Sequence, residues 1–192
     1  ELGDAPGRST VRLVDQNAMA FAYRASTAAA AERSLDVQYY IWNDDLTGRL
    51  LAAELMRAAE RGVRVRLLLD DIDARAKHDL FRVADLHPNL EVRIFNPFYS
   101  RTGAFGYATE WLLRANRLNR RMHNKAWIVD NRVAILGGRN IGDEYFGASE
   151  RSNFADLDVL LAGPVVAEVS AAFDAYWNSP NAVPVSRFEG KP

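Results

Sequence analysis

The chain of 192 residues contains no cysteine and only three histidines. The absence of cysteine excludes disulfide bonds, thiol nucleophiles and thiolate metal ligands. No apolar run approaches the roughly 20 residues that a helix needs to cross a bilayer, so membrane insertion is not supported. Any chemistry that the chain performs has to use oxygen and nitrogen groups.

The overall composition is that of a soluble globular protein, with 48% hydrophobic residues, 26% charged residues and a formal net charge of −1. One stretch departs from this balance, because no acidic residue lies between Glu110 and Asp130. Two interpretations remain open: a solvated helix face, or a positive field for an anionic ligand. The cations of this stretch are Arg114, Arg117, Arg120, Arg121 and Lys125.

Alternation between strand and helix patterns predicts the α/β class. The segments LDVQYYIW, VRVRLLL and LEVRIF are rich in β-branched and aromatic residues, and an amphipathic helix after Gly48 separates the first two. A strand, a helix and a strand in this order imply parallel pairing. MHNKAWIV and RVAIL predict a hairpin, LDVLLAG predicts a last strand, and Pro164 opens a helix that ends near Trp177. We expect a mixed, largely parallel β-sheet with helices on both faces.

The predicted domain covers residues 1–178. The following segment, SPNAVPVSRFEGKP, is rich in Pro, Gly and Ser, so residues 179–192 are expected to form a linker or a frayed end. Near the start of the chain, the pattern predicts a helical stretch from about Val14 to the segment TAAAAERS.

The candidate site residues concentrate in the stretch RMHNKAWIVDNRVAILGGRN. Side chains alternate along a strand, so His123 and Lys125 are expected on one face, where one small ligand meets both. A neutral imidazole can form a covalent phosphoryl intermediate, and an ammonium stabilises non-bridging phosphate oxygens. Gly137 and Gly138 would let the backbone approach a ligand closely, and Asn140 adds an amide donor. Each part suits a phosphodiester.

Two carboxylates receive different predicted roles. Asp130 falls at the hairpin turn on the face opposite His123, so we expect it to hold the hairpin. An imidazole nucleophile needs an acceptor that orients its other nitrogen, and Asp156 in FADLDV is the best candidate. Arg121 is a further candidate for substrate binding. Trp127 follows Lys125 on the same predicted face, where it either contacts substrate or fills the core.

The spacing H-x-K-x4-D-x6-G-G-x-N resembles the signature of the phospholipase D superfamily. The flanks extend the likeness: LDVQYYIWNDD, GVRVRLLLDD, VRIFNPF, LNRRMHNK, GGRNIGDEYFG and DLDVLLAGP are similar to the first half of bacterial cardiolipin synthases, particularly the C-type enzymes. The resemblance covers the chain from about Leu35 to Trp177. Six fixed positions together with these flanks make it specific.

The resemblance implies phosphatidyl transfer without a metal or other cofactor. His123 would attack phosphorus and form a phosphohistidine, which a second phospholipid alcohol would resolve. Lys125 and Asn140 would hold the phosphate, Asp156 would orient His123, and Asp130 belongs to the same motif and is counted with the catalytic set. The fold implied is a phospholipase D-like half domain.

The chain departs from the family pattern in carrying one H-x-K motif instead of two. The second histidine of the pattern protonates the departing alkoxide, and one histidine does not easily act as nucleophile and acid at once. Either the chain is the first half of a longer enzyme, which we favour, or two copies pair about a twofold axis.

Other acidic clusters have ordinary structural interpretations. Asp70, Asp71 and Asp73 follow a strand, where a Mg²⁺ site is the alternative to turn and helix-capping contacts. Asp44 and Asp45 are interpreted in the same way, although either could line the pocket. We expect no metal site.

The sequence also offers a candidate membrane contact. The aromatic loop of residues 98–107 is expected to face lipid headgroups, together with Trp111 and, alternatively, Trp127. A phospholipid substrate, a membrane surface and a second H-x-K half or homodimer partner are the expected partners, at the periphery of the bacterial inner membrane. No nucleic acid is expected.

Three functional hypotheses follow. The first is the catalytic half of a phosphatidyltransferase of the cardiolipin synthesis type. The second is a homodimeric phosphodiesterase or nuclease of the same superfamily, with the basic stretch as its phosphate track. The third is an inactive structural half domain when isolated.

Overall fold

A computed structural model describes residues 7–74, 77–98 and 121–188, except for the side chains of Asp73, His78 and Asp79. The predicted loop over residues 98–107 and the basic residues 114–120 therefore lie almost entirely outside the described residues. The elements in chain order are β1 (Thr10–Val14), α1 (Asn17–Ala29), β2 (Ser34–Tyr39), α2 (Leu46–Glu60), β3 (Arg64–Asp70), α3 (Asp71–Ala74), α4 (His78–Asp85), β4 (Leu90–Phe95), β5 (Ala126–Val129), β6 (Val133–Gly137), α5 (Asp143–Phe146), β7 (Asp158–Ala162), α6 (Val165–Trp177), β8 (Ala182–Pro184) and a 3-10 turn (Val185–Phe188).

The described strands form one mixed sheet in the order β1-β7-β6-β5-β2-β3-β4-β8. The predictions of the α/β class and of a mixed sheet are confirmed. The expectation that parallel pairs predominate is wrong, because β2–β3 and β3–β4 are parallel and the other five neighbouring pairs are antiparallel. Parallel pairing needs a crossover connection, whereas the β5–β6 hairpin and the strands that follow it return in the opposite direction.

Helices cover both faces of the sheet, as predicted. Helices α1, α2 and α4 contribute to the larger apolar core on one face, where Leu51, Leu55 and Phe81 are buried. Helix α6 covers the other face with Phe173 and Trp177. The buried sides of these helices provide most of the stabilising apolar contact.

Local sequence signals explain the bounds of α2. The Asp45 carboxylate caps the helix by accepting the Gly48 N–H at 3.0 Å, and its other oxygen accepts the N–H of Asp143 at 2.8 Å. Asp143 in turn accepts the Thr47 N–H at 2.8 Å. Gly62, with φ of +92°, follows the end of the helix in the left-handed conformation that glycine favours. Asp45 therefore caps α2 and fixes it against α5, as the capping interpretation predicts.

Both ends of the described chain carry structure that the sequence did not predict. Val14 ends strand β1, and α1 begins later, at Asn17. The predicted linker is wrong for residues 182–188, because β8 pairs antiparallel with β4 and Val185 is fully buried. Pro184 is compatible with a strand at the sheet edge, where its missing N–H costs no ladder bond. Residues 189–192 lie outside the described part.

A buried ionic cluster around Asp158, the first residue of β7, joins several elements of the fold. The Asp158 carboxylate lies 2.9 Å from Arg24 and 3.4 Å from Arg139, with all three side chains almost fully buried. Arg24 Nε also donates to the Tyr39 hydroxyl at 2.8 Å, and Arg139 donates to the Val14 carbonyl at 3.0 Å. The cluster therefore connects α1, β1, β2, β7 and the segment that follows β6.

Across the ranges described, no helix is both long enough and apolar enough to span a membrane.

Asp130 lies at the opposite end of β5 from His123. Its carboxylate accepts the backbone N–H groups of Glu32, Arg33 and Ser34 at 3.0, 2.7 and 2.8 Å. Burial alone would raise the pKa of the Asp130 carboxyl, but these N–H groups outweigh burial and hold the pKa below its ordinary value. Asp130 has the structural role that its turn position predicts, although it holds the chain entering β2 as well as the hairpin.

We predict that Asp130→Asn destabilises the fold at pH 7 by about 1–2 kcal/mol, since it weakens three charge-assisted hydrogen bonds at a partly exposed site. A carboxyl whose folded pKa is depressed contributes stability above its unfolded pKa of about 3.9 and loses it as the pH falls through the folded pKa. The difference between wild type and variant should therefore shrink below about pH 4 in chemical denaturation experiments.

The matched control is Asp44→Asn, which removes an exposed carboxylate paired with Arg49 and should not change stability measurably. Equal destabilisation by the two variants, or a pH-independent effect of Asp130→Asn, would contradict the assigned role.

Candidate active site

Several chain segments meet at one edge of the sheet, which we call the site edge. Parallel strands β2 and β3 end there, antiparallel strands β5 and β7 begin there, and β6 ends there. The loops that enter or leave these strands therefore bring residues 121–125, 137–140 and 156–158 together. These are the segments in which the sequence places most of the candidate residues.

His123 and Lys125 lie together at the site edge. Nζ of Lys125 is 3.0 Å from Nδ1 and 3.3 Å from Nε2 of His123, and it donates to the His123 carbonyl at 2.7 Å. The imidazole is exposed, whereas Lys125 is 4% exposed. Both residues precede β5, so their proximity comes from the loop and the folded-back lysine, and not from the shared strand face that alternation predicts.

Tyr40 packs against this pair and was not predicted from the sequence. Its ring centroid is 4.8 Å from that of His123, and Nζ of Lys125 is 5.6 Å from the Tyr40 centroid. Burial and the charge of Asp70 raise the pKa of the Tyr40 hydroxyl, so it stays neutral at physiological pH. Its position directly after β2, at the site edge, is the signal that could have identified it.

Two opposing effects act on the pKa of the Lys125 ammonium. Burial lowers the pKa of Lys125, and the nearby charge of Asp156 acts in the opposite direction. A cation in a partly desolvated position attracts an anion more strongly than one in open water. The arrangement is therefore suited to holding a phosphate oxygen next to the imidazole.

Asp70 fixes the loop that carries His123. This fully buried carboxylate, at the end of β3, accepts the Met122 N–H at 2.9 Å and lies 3.2 Å from Nη1 of Arg121. Burial raises the pKa of Asp70, while these donors and the Ile72 N–H oppose the rise. The neighbouring Asp71 accepts the Phe98 N–H at 2.7 Å. Both carboxylates therefore position backbone.

Arg121 differs from its predicted role in substrate binding. Its guanidinium also reaches the Asn96 carbonyl at 3.4 Å and stacks over the Phe98 ring, with Cζ 4.7 Å from the centroid. These contacts and the ion pair with Asp70 bind the arginine to the protein itself. Arg121 thus positions the loop that enters the site.

The glycine pair makes room for carboxylates on β7 and the loop before it. A Cβ at Gly137 would overlap Asp158, and a Cβ at Gly138 would overlap Asp156. The predicted reason for these glycines, close approach of backbone to ligand, is thus replaced by close approach of two side chains. Asp156 accepts the Leu157 N–H at 2.7 Å, and no hydrogen bond joins it to His123 within the described residues. The predicted orienting contact is absent, and the charge of Asp156 acts on Lys125.

Asn140 is buried and connects two chain segments through hydrogen bonds of its side-chain amide. Its Oδ1 accepts the Ile41 N–H at 3.1 Å, and its Nδ2 donates to the Tyr145 hydroxyl at 3.0 Å. An amide nitrogen carries two hydrogens, so one remains for a ligand. The first effect of Asn140 is to fix the chain after β2 against the chain after β6.

Two predicted site residues do not line the site. Trp127 is 0% exposed in the larger core and donates to Thr27 Oγ1 at 3.2 Å, so the core alternative holds and the substrate-binding assignment is wrong. Asp130 lies at the far end of β5, away from His123. Its assignment to the catalytic set is therefore wrong if that set means residues that contact the substrate. Phe98 is also buried, and Trp111 and residues 99–107 lie outside the described residues.

Metal-binding clusters are not found in the described ranges: no group of three or more His, Asp or Glu side chains there is arranged to hold an ion.

The fold and this site define a class: an α/β domain that presents an imidazole and an ammonium side by side at one edge of its sheet. The chain matches the family model described as "Cardiolipin synthase, PLD-like domain" over residues 25–177, and it belongs to that family. Cardiolipin synthase C of Escherichia coli (strain K12) is 50% identical over 183 residues, which is 95% of this chain and 38% of that protein. The chain spans less than two fifths of the length of this relative.

Solved structures share the fold at low sequence identity. Phosphatidylserine synthase from Haemophilus influenzae Rd KW20 matches with a TM-score of 0.65 and 14% identity, over 96% of this chain and 42% of that chain. Nuc from Salmonella typhimurium, a phospholipase D family member, matches with a TM-score of 0.63 and 15% identity, over 92% of this chain and 98% of that chain. The same fold therefore occurs as part of a longer chain and as nearly a whole chain.

We predict that Asp156→Asn lowers the pKa of Lys125 further, since it removes the negative charge that favours the ammonium form. The titration of the Lys125 side chain can be followed by NMR of selectively labelled lysine. Asp44→Asn, at an exposed carboxylate outside the site, should leave that titration unchanged. An unchanged or raised pKa in Asp156→Asn would show that the carboxylate does not act on Lys125.

Proposed function

We propose that this chain is the phosphohistidine-forming half of a phosphatidyltransferase of the cardiolipin synthesis type. The observation that carries the proposal is the exposed His123 imidazole with the Lys125 ammonium 3.0 Å from its Nδ1. Membership of the cardiolipin synthase family and 50% identity to a cardiolipin synthase support the substrate class.

In the first step, a neutral nitrogen of His123 attacks the phosphorus of a phosphatidylglycerol or a related phospholipid. A P–N bond forms and the bond between phosphorus and the headgroup alcohol breaks, while Lys125 stabilises the charge on the non-bridging oxygens. Tyr40 holds one side of the imidazole, and Asp70 holds the loop behind it. The product is a phosphatidyl-histidine and a free alcohol.

In the second step, the hydroxyl of a second phospholipid attacks the same phosphorus, so a new P–O bond replaces the P–N bond and His123 leaves as a neutral imidazole. The hydroxyl proton passes to the histidine of a second H-x-K motif, which gave up its own proton in the first step. The leaving alkoxide of the first step requires a proton, and the family pattern assigns this proton to a second H-x-K histidine. That this chain spans 38% of the cardiolipin synthase and 42% of the phosphatidylserine synthase supports a second half in the same protein. The division into this half domain and a following half is part of the proposal.

A symmetric homodimer that cleaves phosphodiesters in nucleic acid is the second candidate. The match to nearly the full length of Nuc supports it, because a domain of this fold can make up a whole chain. The two candidates share His123 and differ in substrate and in the source of the second histidine.

We also propose contact with the surface of the bacterial inner membrane, through residues that differ from those expected. Phe154 and Leu157 are 47% and 49% exposed and flank Asp156 in the loop that leads into β7. Exposed large apolar side chains beside a phosphate site are suited to dipping between lipid headgroups.

We predict that, in the full-length protein that contains this chain, His123→Asn abolishes a covalent phosphatidyl-enzyme detected by mass spectrometry with phosphatidylglycerol. Lys125→Met should lower the rate by about 100-fold, since a single transition-state donor contributes on this scale. Arg132→Ala removes an exposed cation at the far end of the β5–β6 hairpin and serves as the matched control, with unchanged activity.

A covalent adduct that persists in His123→Asn would exclude His123 as the nucleophile. Cleavage of single-stranded DNA by this chain alone, lost in His123→Asn, together with no product from phosphatidylglycerol in the full-length protein, would favour the nucleic-acid candidate.

We predict that the double substitution Phe154→Ser and Leu157→Ser weakens binding to vesicles of phosphatidylglycerol and phosphatidylethanolamine by about tenfold or more, because two apolar side chains leave the bilayer. Leu86→Ser is the control, since Leu86 is exposed at the opposite edge of the sheet. Cosedimentation measures both. Equal effects of the two changes would contradict the proposed contact.

A further inference from the structure

A groove extends from the site edge along α6, from Val165 to Tyr176. Its volume is about 470 Å³, within the range of small-molecule sites. Its floor comes from buried residues of β2, β5, β7 and α6, and its rim from exposed residues of α6 and of the loops at the site edge. The lining residues that matter here are Gln38, Ala126, Lys125, Gly137, Glu168 and Ala172.

The groove is continuous with the phosphate site, because Lys125 lines both. Gly137, where β6 ends at the site edge, also lies on its wall. A molecule whose phosphorus lies beside His123 therefore has the groove next to it, on the other side of Lys125. The walls farther along α6 are apolar, with Val169 and Phe173 among them.

Gln38 places an unpartnered polar group in the groove wall. The residue is 3% exposed, and its Nε2 has no hydrogen-bond partner in the described structure. Gln38 pairs with Ala126 and with Leu68 across the neighbouring strands, both in the apolar cluster below α6. An amide donor left without a partner in such surroundings is costly, so an acceptor supplied by a ligand would remove the cost.

Polar contacts near its C-terminal end fix α6 to the sheet. Arg66 bridges Asp36 at 2.6 Å on β2 and Asp174 at 2.8 Å on α6. Arg93 donates to the Trp177 carbonyl at 2.8 Å and stacks over the Trp177 ring. These contacts set the position of α6 over the sheet, and with it the groove between the helix and the strands.

We infer that this groove binds the diacylglycerol part of the phosphatidyl group, with Gln38 Nε2 donating to an acyl ester carbonyl. The inference rests on the proposed function. A phospholipid carries neutral ester carbonyls a few bonds from phosphorus and apolar chains directly beyond them, which is the order of groups along the groove. The Glu168 carboxylate on the rim disfavours a polyanionic strand in the same place.

The first test compares two ligands that share one headgroup. Dihexanoyl-phosphatidylglycerol, below its critical micelle concentration, carries the acyl esters, and glycerophosphoglycerol lacks them. We expect calorimetry to show at least tenfold tighter binding of the acylated ligand to this chain. Ala172→Phe should remove that advantage by filling the groove, whereas Ala171→Phe should keep it, since Ala171 is also exposed on α6 but does not line the groove.

The second test separates function from folding at Gln38. Gln38→Met replaces an unpartnered buried amide by an apolar side chain of similar shape, so the thermal unfolding temperature should stay the same or rise. Binding of dihexanoyl-phosphatidylglycerol should nevertheless weaken by about tenfold, and binding of glycerophosphoglycerol should not change. A merely structural Gln38 would not produce this split.

The outcomes separate this inference from the proposed function. Formation of the covalent phosphatidyl-enzyme with no effect of Ala172→Phe or Gln38→Met overturns the groove assignment alone. Groove-dependent binding of the acylated ligand without any covalent adduct overturns the proposed chemistry alone. Equal affinity of the wild type for both ligands means that the groove holds something other than acyl chains, such as another part of this protein, and overturns the inference.

Discussion

The buried carboxylate of Asp70 is the constraint on which the position of His123, the proposed nucleophile, depends. His123 belongs to a loop without strand pairing of its own, so the loop needs an external acceptor for its backbone. Asp70 supplies one for the Met122 N–H and binds Arg121 as well. Removing such a partner would leave donors buried and unsatisfied, which costs more than the net value of the bonds. The end of β3, where Asp70 lies, thus determines the position of the His123 imidazole.

The other wall of the site follows from a second buried carboxylate. Asp158 lies between Arg24 and Arg139, and its neighbour across the sheet is Gly137. A buried charge is tolerated when it is paired, and here two guanidinium groups pair with one carboxylate. The glycines that resemble a ligand-binding signature are thus required first by packing.

The sequence predicted the elements with strong periodicity and the residues whose chemistry is explicit. Helix α2, strands β2 to β4 and the β5–β6 hairpin follow from spacing alone. The sequence also predicted that His123 and Lys125 lie together, but the loop before β5 brings them together and not a shared strand face. Strand β8 escaped prediction because Pro184 and nearby polar residues look like a linker, and tertiary pairing with β4 overrides that local pattern. The share of parallel strands was overestimated because strand order depends on long-range pairing.

Within the site, what escaped prediction depends on contacts between distant segments. Tyr40 and Asp70 lie far from His123 in sequence, and only the meeting of β2, β3 and β5 at one edge brings them together. Trp127 is as apolar as a lipid-facing residue would be. It belongs to the core because its side chain lies on a face of the sheet that is buried. Gln38 belongs to no motif, and what distinguishes it is a buried Nε2 without a hydrogen-bond partner in the described structure.

The central claim is that His123 and Lys125 together hold a phosphoryl group. A crystal structure of this chain with tungstate would test it directly, because tungstate mimics a phosphoryl group and is easily located. The oxyanion should lie within bonding distance of a His123 ring nitrogen, with Lys125 Nζ donating to one of its oxygens. Tungstate bound elsewhere, or absent from the site edge at saturating concentration, would contradict the claim.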